Sequence, residues 1–131
     1  MFLDASAIIA ILVRETDWEV LESKVEQAGR LLTSALAVYE SVLGVARRRS
    51  CGVDEAKTAV DGFLREAGAS SLAVDDSIGA EAISAFAKFG NGRHRAALNM
   101  GDCFAYACAR AHRVPLLCKG DDFIHTDIQI A

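Results

Sequence analysis

Proline is almost absent from this chain: Pro115 is the only one, against 52% apolar residues. That balance excludes a disordered tether. Cysteine is scarce as a framework, because the four thiols (Cys51, Cys103, Cys108, Cys118) include no CxxC pair and no disulfide spacing. They read as free thiols of a reducing compartment. A zinc site from Cys103, Cys108, His112 and Cys118 has suitable ligand types but lacks the knuckle spacing. Positive charge is not in excess, since the net charge is −4 and the pI about 5.3. A generally basic nucleic-acid coat is thereby excluded, although a local basic patch is not. Long apolar runs are missing too. Asp4 and Arg14 bracket nine uncharged residues, with no basic stretch before them. Neither a signal peptide nor a membrane span is expected, and the predicted location is the cytoplasm. No repeat, low-complexity run or linker divides the 131 residues, which predicts one domain over 1–131 with a single core.

The stretch from Asn99 to Phe123 organises what is present. Gly101 makes a turn, and Ala105, Ala107, Ala109 and Ala111 then favour a helix able to lie close to a sheet. Arg110, His112 and Arg113 suit its last turn, and Pro115 stops it. Leu116 to Cys118 reads as a buried strand broken by Gly120-Asp121-Asp122. Upstream, Phe2-Leu3 is a strand ended by Asp4, and Ala5 to Val13 a buried helix. A second helix runs from a cap at Thr16 or Asp17 to about Gln27, with Trp18, Leu21 and Val25 inward. Arg30 to Thr33 is a second strand, followed by a helix over Ala35–Arg49 and another over Val53–Ala67 with Ala56, Val60, Phe63 and Leu64 inward. Leu72 to Val74 is a third strand, and Asp75 or Asp76 caps a helix through Phe86 and Phe89. The tail from Phe123 to Ile130, with a structural His125, reads as a last edge strand. This order predicts an α/β protein: a three-layer α/β/α sandwich around a short parallel sheet.

The helix over Ala35–Arg49 carries an anomaly. Leu36, Tyr39, Leu43 and Ala46 form an apolar stripe, and Glu40 sits inside it. A carboxylate on a core-facing stripe needs an Arg, a backbone donor or a metal to compensate it. The helix ends in Arg47-Arg48-Arg49, which serves either as a C-terminal cap or as a phosphate contact. The glycine-bounded loop over 90–95 brings Arg93 and Arg95, either solvated or as a flexible clamp beside the acids.

Four acids converge on one edge. Asp4 ends a strand, Asp121 or Asp122 follows one, Asp102 opens a helix and Glu40 lies in the second turn of another. In a parallel sheet these positions share the carboxyl edge, where open α/β sheets hold ligands. Close carboxylates repel by about 1–4 kcal/mol per pair. A hard cation such as Mg²⁺ relieves this and commonly sits beside substrate phosphates. That is equipment for metal-assisted phosphodiester hydrolysis. A haloacid-dehalogenase-type phosphatase is disfavoured, because Asp4-Ala5-Ser6 lacks its second acid.

At these residues the chain resembles the PIN-domain ribonucleases, and among them the VapC toxins. The resemblance rests on Phe2-Leu-Asp-Ala-Ser-Ala7, Tyr39-Glu40, Asn99-Met-Gly-Asp-Cys-Phe-Ala-Tyr-Ala107 and Leu116-Leu-Cys-Lys-Gly-Asp-Asp-Phe-Ile-His-Thr-Asp-Ile128. It implies that Asp4, Glu40, Asp102 and Asp121 hold Mg²⁺ or Mn²⁺, with Ser6 adding a hydroxyl to the water network and Asp122 fixing the turn. It implies RNA as substrate, with Arg47, Arg48, Arg93 and Arg95 as candidate contacts, and a small cognate VapB-type antitoxin. Together with apolar surface at Trp18, Leu21, Phe63 and Leu64, it implies a homodimer.

Overall fold

The computed structural model describes residues 1–131, and its frame is a four-stranded parallel sheet. The strands are β1 (Phe2–Leu3), β2 (Leu32–Ser34), β3 (Ser70–Leu72) and β4 (Leu116–Leu117), ordered β3-β2-β1-β4. Phe2 pairs with both Leu32 and Leu116, so the short β1 is the centre of the sheet. Side chains alternate across a strand, and this alternation divides the core in two. Phe2, Leu32 and Leu116 face one cluster, which includes Ala82, Ala105 and Tyr106; Leu3, Leu31 and Leu117 face the other, with Ile8, Val45 and Val60.

The helices follow from the expected periodicities: α1 (Ala5–Val13), α2 (Trp18–Gln27), α3 (Ala35–Arg49), α4 (Val53–Glu66), α5 (Asp76–Phe89) and α6 (Met100–Ala111). α1, α2, α4 and most of α3 cover one face, and α5 and α6 the other, which makes the three layers. No helix is long and apolar enough to cross a membrane.

Three expectations require correction. β3 begins at Ser70 rather than Leu72, because Leu32, Thr33 and Ser34 of β2 pair with Ser70, Ser71 and Leu72. This edge strand is polar and exposed, so it left no apolar signal. The tail is not an edge strand. Phe123–His125 forms a 3₁₀ turn, and the only bridge is Leu116 with Ile130. Thr126 closes the turn by donating through Oγ1 to the Phe123 carbonyl at 2.7 Å. Asp127 then takes a hydrogen bond from the buried Tyr106 hydroxyl, and Arg110 donates to the same hydroxyl at 2.9 Å. Finally, the buried face of α3 is Ala37, Ser41, Val42, Gly44 and Val45, while Tyr39 is 61% and Leu43 44% exposed. Gly44 explains the choice of face. A Cβ there would overlap the Ile9 side chain, so α3 lies close on α1 along its small residues and turns its larger ones outward.

Burial and Asp127 push the Tyr106 hydroxyl up to about 12, while that hydroxyl lowers the Asp127 carboxyl. A lowered carboxyl gives stability that is present above its unfolded value, about 3.9, and lost as pH falls through the folded one. Tyr106→Phe should therefore cost about 1–3 kcal/mol in urea unfolding at pH 7. The difference from wild type should shrink at pH 3. An equal loss at both values would remove Asp127 from the account.

Candidate active site

Strand order reverses between β1 and β4, and a doubly wound sheet opens its ligand crevice beyond the carboxyl ends at such a point. Asp4 stands at the end of β1. Its backbone N–H donates to the Leu117 carbonyl at 3.0 Å, which ties it to β4. Its carboxylate caps α1, accepting from the Ser6 N–H at 2.9 Å and from the Ser6 hydroxyl. Ser6 Oγ in turn accepts from the Lys119 N–H at 2.9 Å, so one hydroxyl joins Asp4 to the loop after β4. Asp4 is only 4% exposed, and burial raises its carboxyl pKa against the Ser6 hydrogen bonds that lower it.

Asp102 enters from the first turn of α6 as half of a capping box. Its Oδ2 accepts from the Asn99 N–H at 2.8 Å, and its own N–H donates to Asn99 Oδ1 at 3.0 Å. The helix-start role is therefore real. Burial first, then the charges of Asp4 and Asp122, nevertheless push Asp102 up to about 6. Glu40 comes from the second turn of α3 and is pushed up to about 7 by burial and by Asp4 and Asp102. Its carboxylate lies directly over Gly101, where a Cβ would overlap both oxygens. Any side chain at position 101 would have to push the end of the Glu40 side chain out of this place.

These three acids line one open cleft of about 520 Å³ together with Ser6, Tyr39, Arg47 and Asn99. The sequence favours Asp121 over Asp122 because Asp122 abuts Phe123; both are exposed and neither lines the cleft, while the charge of Asp122 adds to the raising of Asp4 and Asp102. Gly120, just before the two acids, adopts φ +98°, a backbone conformation that favours glycine. Among the arginines, Arg47 lines the cleft, Arg48 pairs with Glu15 at 3.1 Å, and Arg93 lies over the Phe86 ring at 5.4 Å. Neither Arg93 nor Arg95 lines the acidic cleft.

All four cysteines are free, and no three Cys, His, Asp or Glu side chains are drawn into a closed ligand group. The zinc combination does not converge: Cys103 and Cys108 are buried in the core while His112 is exposed. The acids fit a harder ion. They offer carboxylate oxygens, repel one another, and leave room for the waters that Mg²⁺ retains. The nearby Cys118 thiol is held protonated, raised to about 12 by burial and by the same acids.

Sequence reading missed three contributors. Tyr39 was placed in the core but lines the cleft; Gly101 was read as a turn but seats Glu40; Asn99 completes the capping box. The last was readable from its spacing of three to Asp102, and Gly101 from a glycine inside an otherwise strong helix.

A sequence profile for the PIN domain matches residues 1–129. A VapC ribonuclease of Rhizobium meliloti is 38% identical over 139 residues, covering 97% of this chain and 98% of that protein. A ribonuclease named VapC30 from Mycobacterium tuberculosis is 38% identical over 128 residues, covering 98% and 95%. A VapC ribonuclease of Mycolicibacterium smegmatis is 38% identical over 129 residues, covering 98% and 97%.

Raised carboxyls mean that the folded protein holds protons the unfolded chain has released. Their stabilisation is complete below the unfolded values, about 4, and lost as pH rises through about 6 for Asp102 and 7 for Glu40. In EDTA the melting temperature should fall between pH 5 and pH 8. Glu40→Gln should flatten that fall and melt higher than wild type at pH 8. A variant that melts lower there would show that Glu40 is not opposed by its neighbours.

Proposed function

The chain belongs to the PIN-domain family, and from the VapC ribonucleases it resembles we propose that it is a metal-dependent endoribonuclease, the toxin of a toxin–antitoxin pair. The observation that carries this reading is the sharing of one cleft by Asp4, Glu40 and Asp102, three acids from three separate elements. With Asp122 they would hold Mg²⁺ or Mn²⁺. The bound cation supplies an acidified water and stabilises charge developing on a phosphodiester. Asp4 is fixed by Ser6 and Asp102 by Asn99, so two of the donors are oriented before any ligand arrives, and Gly101 leaves room for the third, Glu40. The substrate is RNA, the restraining partner a VapB-type antitoxin, and the compartment the cytoplasm.

The proposed state is a homodimer, through a face other than the one foreseen. Leu21 and Leu64 are buried, and Trp18 and Phe63 half-buried. Between α5 and α6 lies a groove of about 320 Å³ lined by Ala82, Ile83, Phe86, Met100 and Phe104, with Ile83 74% and Met100 65% exposed. Apolar patches of this kind mark interfaces, and a two-fold pairing covers the same groove on both copies.

Asp102→Asn keeps shape and capping but removes charge the cation needs. Mn²⁺-dependent RNA cleavage should fall at least about a hundredfold, the order that loss of one well-placed electrostatic contact costs. The wild type should melt higher with Mn²⁺, a gain the variant largely loses, while the metal-free melting temperatures stay close. Full cleavage by the variant would sink the metal-site reading.

Light scattering should give twice the 14.0 kDa chain mass for wild type and a single chain for Ile83→Asp. A monomeric wild type at micromolar concentration would refute the dimer.

A further inference from the structure

The acidic cleft has a neighbour. A second cavity of about 220 Å³ opens beside it, and Ser6, Ile9, Gly44 and Arg47 line both. The second cavity is basic, adding Arg48 and Lys119 against the single acid Glu15. Two of its three cations are already engaged. Arg48 pairs with Glu15 at 3.1 Å; Lys119 donates to the Thr16 carbonyl at 2.5 Å and lies 3.7 Å from Asp17. Arg47 makes no ion pair. It stands in the partition between the cavities, on the same exposed face of α3 as Glu40 and seven residues further on. Seven residues are about two turns, or roughly 10 Å along the axis. Tyr39, 61% exposed, also lines the acidic cleft and precedes Glu40 in the helix, whereas Arg47 follows it.

A chain of net charge −4 with acids crowded in its cleft repels a polyanion. Any nucleic acid that reaches those acids needs a cation beside them, and Arg47 is the unengaged one. Its planar fork matches a phosphate better than an ammonium would. We propose that the exposed face of α3 is a track for single-stranded RNA, in which Arg47 seats a phosphate next to the one at the acids and Tyr39 stacks a base on the other side. The proposal rests on the ribonuclease reading and extends it by fixing how the strand runs. The track crosses from Tyr39 over Glu40 to the basic cavity, so residues of α3, not the 90–95 loop, position the substrate.

The test is anisotropy of a short fluorescein-labelled single-stranded RNA bound to the full chain, with Ca²⁺ in place of Mg²⁺, across 50–200 mM salt. Each phosphate neutralised on a single strand contributes about 0.7 to the slope of log affinity against log salt. Arg47→Ala should lower that slope by about 0.7. Arg47→Lys should keep the slope while binding more weakly. Tyr39→Leu should weaken binding about tenfold with the slope unchanged, as loss of one stacked base does. Arg30→Ala removes the same charge near the start of β2, at the opposite edge of the sheet, and should change neither quantity. The proposal is overturned by an Arg47→Ala slope equal to wild type, by an equal drop in Arg30→Ala, or by no binding in wild type. Failure of the ribonuclease reading looks different: wild type would bind RNA with the predicted slopes yet show no Mn²⁺-dependent cleavage.

Discussion

Everything at the carboxyl edge depends on keeping the Asp4 carboxylate buried where β1 ends. A charge in that position is costly, and hydrogen bonds from Ser6, with a smaller contribution from the Ala5 backbone, oppose the cost. The same Ser6 hydroxyl that donates to Asp4 accepts from the Lys119 N–H, which ties the loop after β4 to β1. That loop carries Asp122, and Gly120 just before it adopts φ +98°. One buried carboxylate therefore organises a strand end, a helix start and a loop more than a hundred residues away.

The second constraint is close approach. α3 must pass near α1 and α6 at once, and glycine appears at both contacts: Gly44 against Ile9, and Gly101 beneath Glu40. Tight packing on the small-residue face forces the larger residues of α3 outward. Tyr39 and Leu43 are exposed for that reason, and Glu40, at the border of the two faces, reaches the acids. Packing, rather than any attraction between carboxylates, puts like charges together.

The layers were legible in sequence because they rest on strong local signals. The Phe2-Leu3-Asp4 opening, the alanine spacing of α6 and Pro115 each have one dominant structural meaning. Glu40 was singled out for an incorrect reason. The stripe Leu36, Tyr39, Leu43 has good helical period, yet the buried face is the pattern Ala37, Ser41, Val42, Gly44 and Val45, in which small residues mix with two valines. Hydropathy cannot see that small residues win when helix axes approach closely. β3 and the tail were illegible for related reasons. One is a polar edge held by backbone pairing alone; the other is pinned by a side-chain bond from Tyr106 that spans 21 residues. Asp121 and Asp122 are adjacent and both exposed, so residue pattern alone does not separate them.

Asp102 shows why structural and functional readings of one residue need not compete. Its Oδ2 completes the capping box with Asn99, which fixes the carboxylate at the start of α6. A capped helix start concentrates unpaired N–H groups and positive dipole, which ordinarily favours an ionised acid. Burial and the charges of Asp4 and Asp122 nevertheless raise Asp102, so the cluster outweighs the helix terminus. The cap therefore orients an acid that its surroundings disfavour as a free anion. An arrangement in which local structure holds a charge in place while neighbours oppose it stores a preference for whatever cation neutralises them, and α6 supplies the rigidity that keeps the acids from relaxing apart.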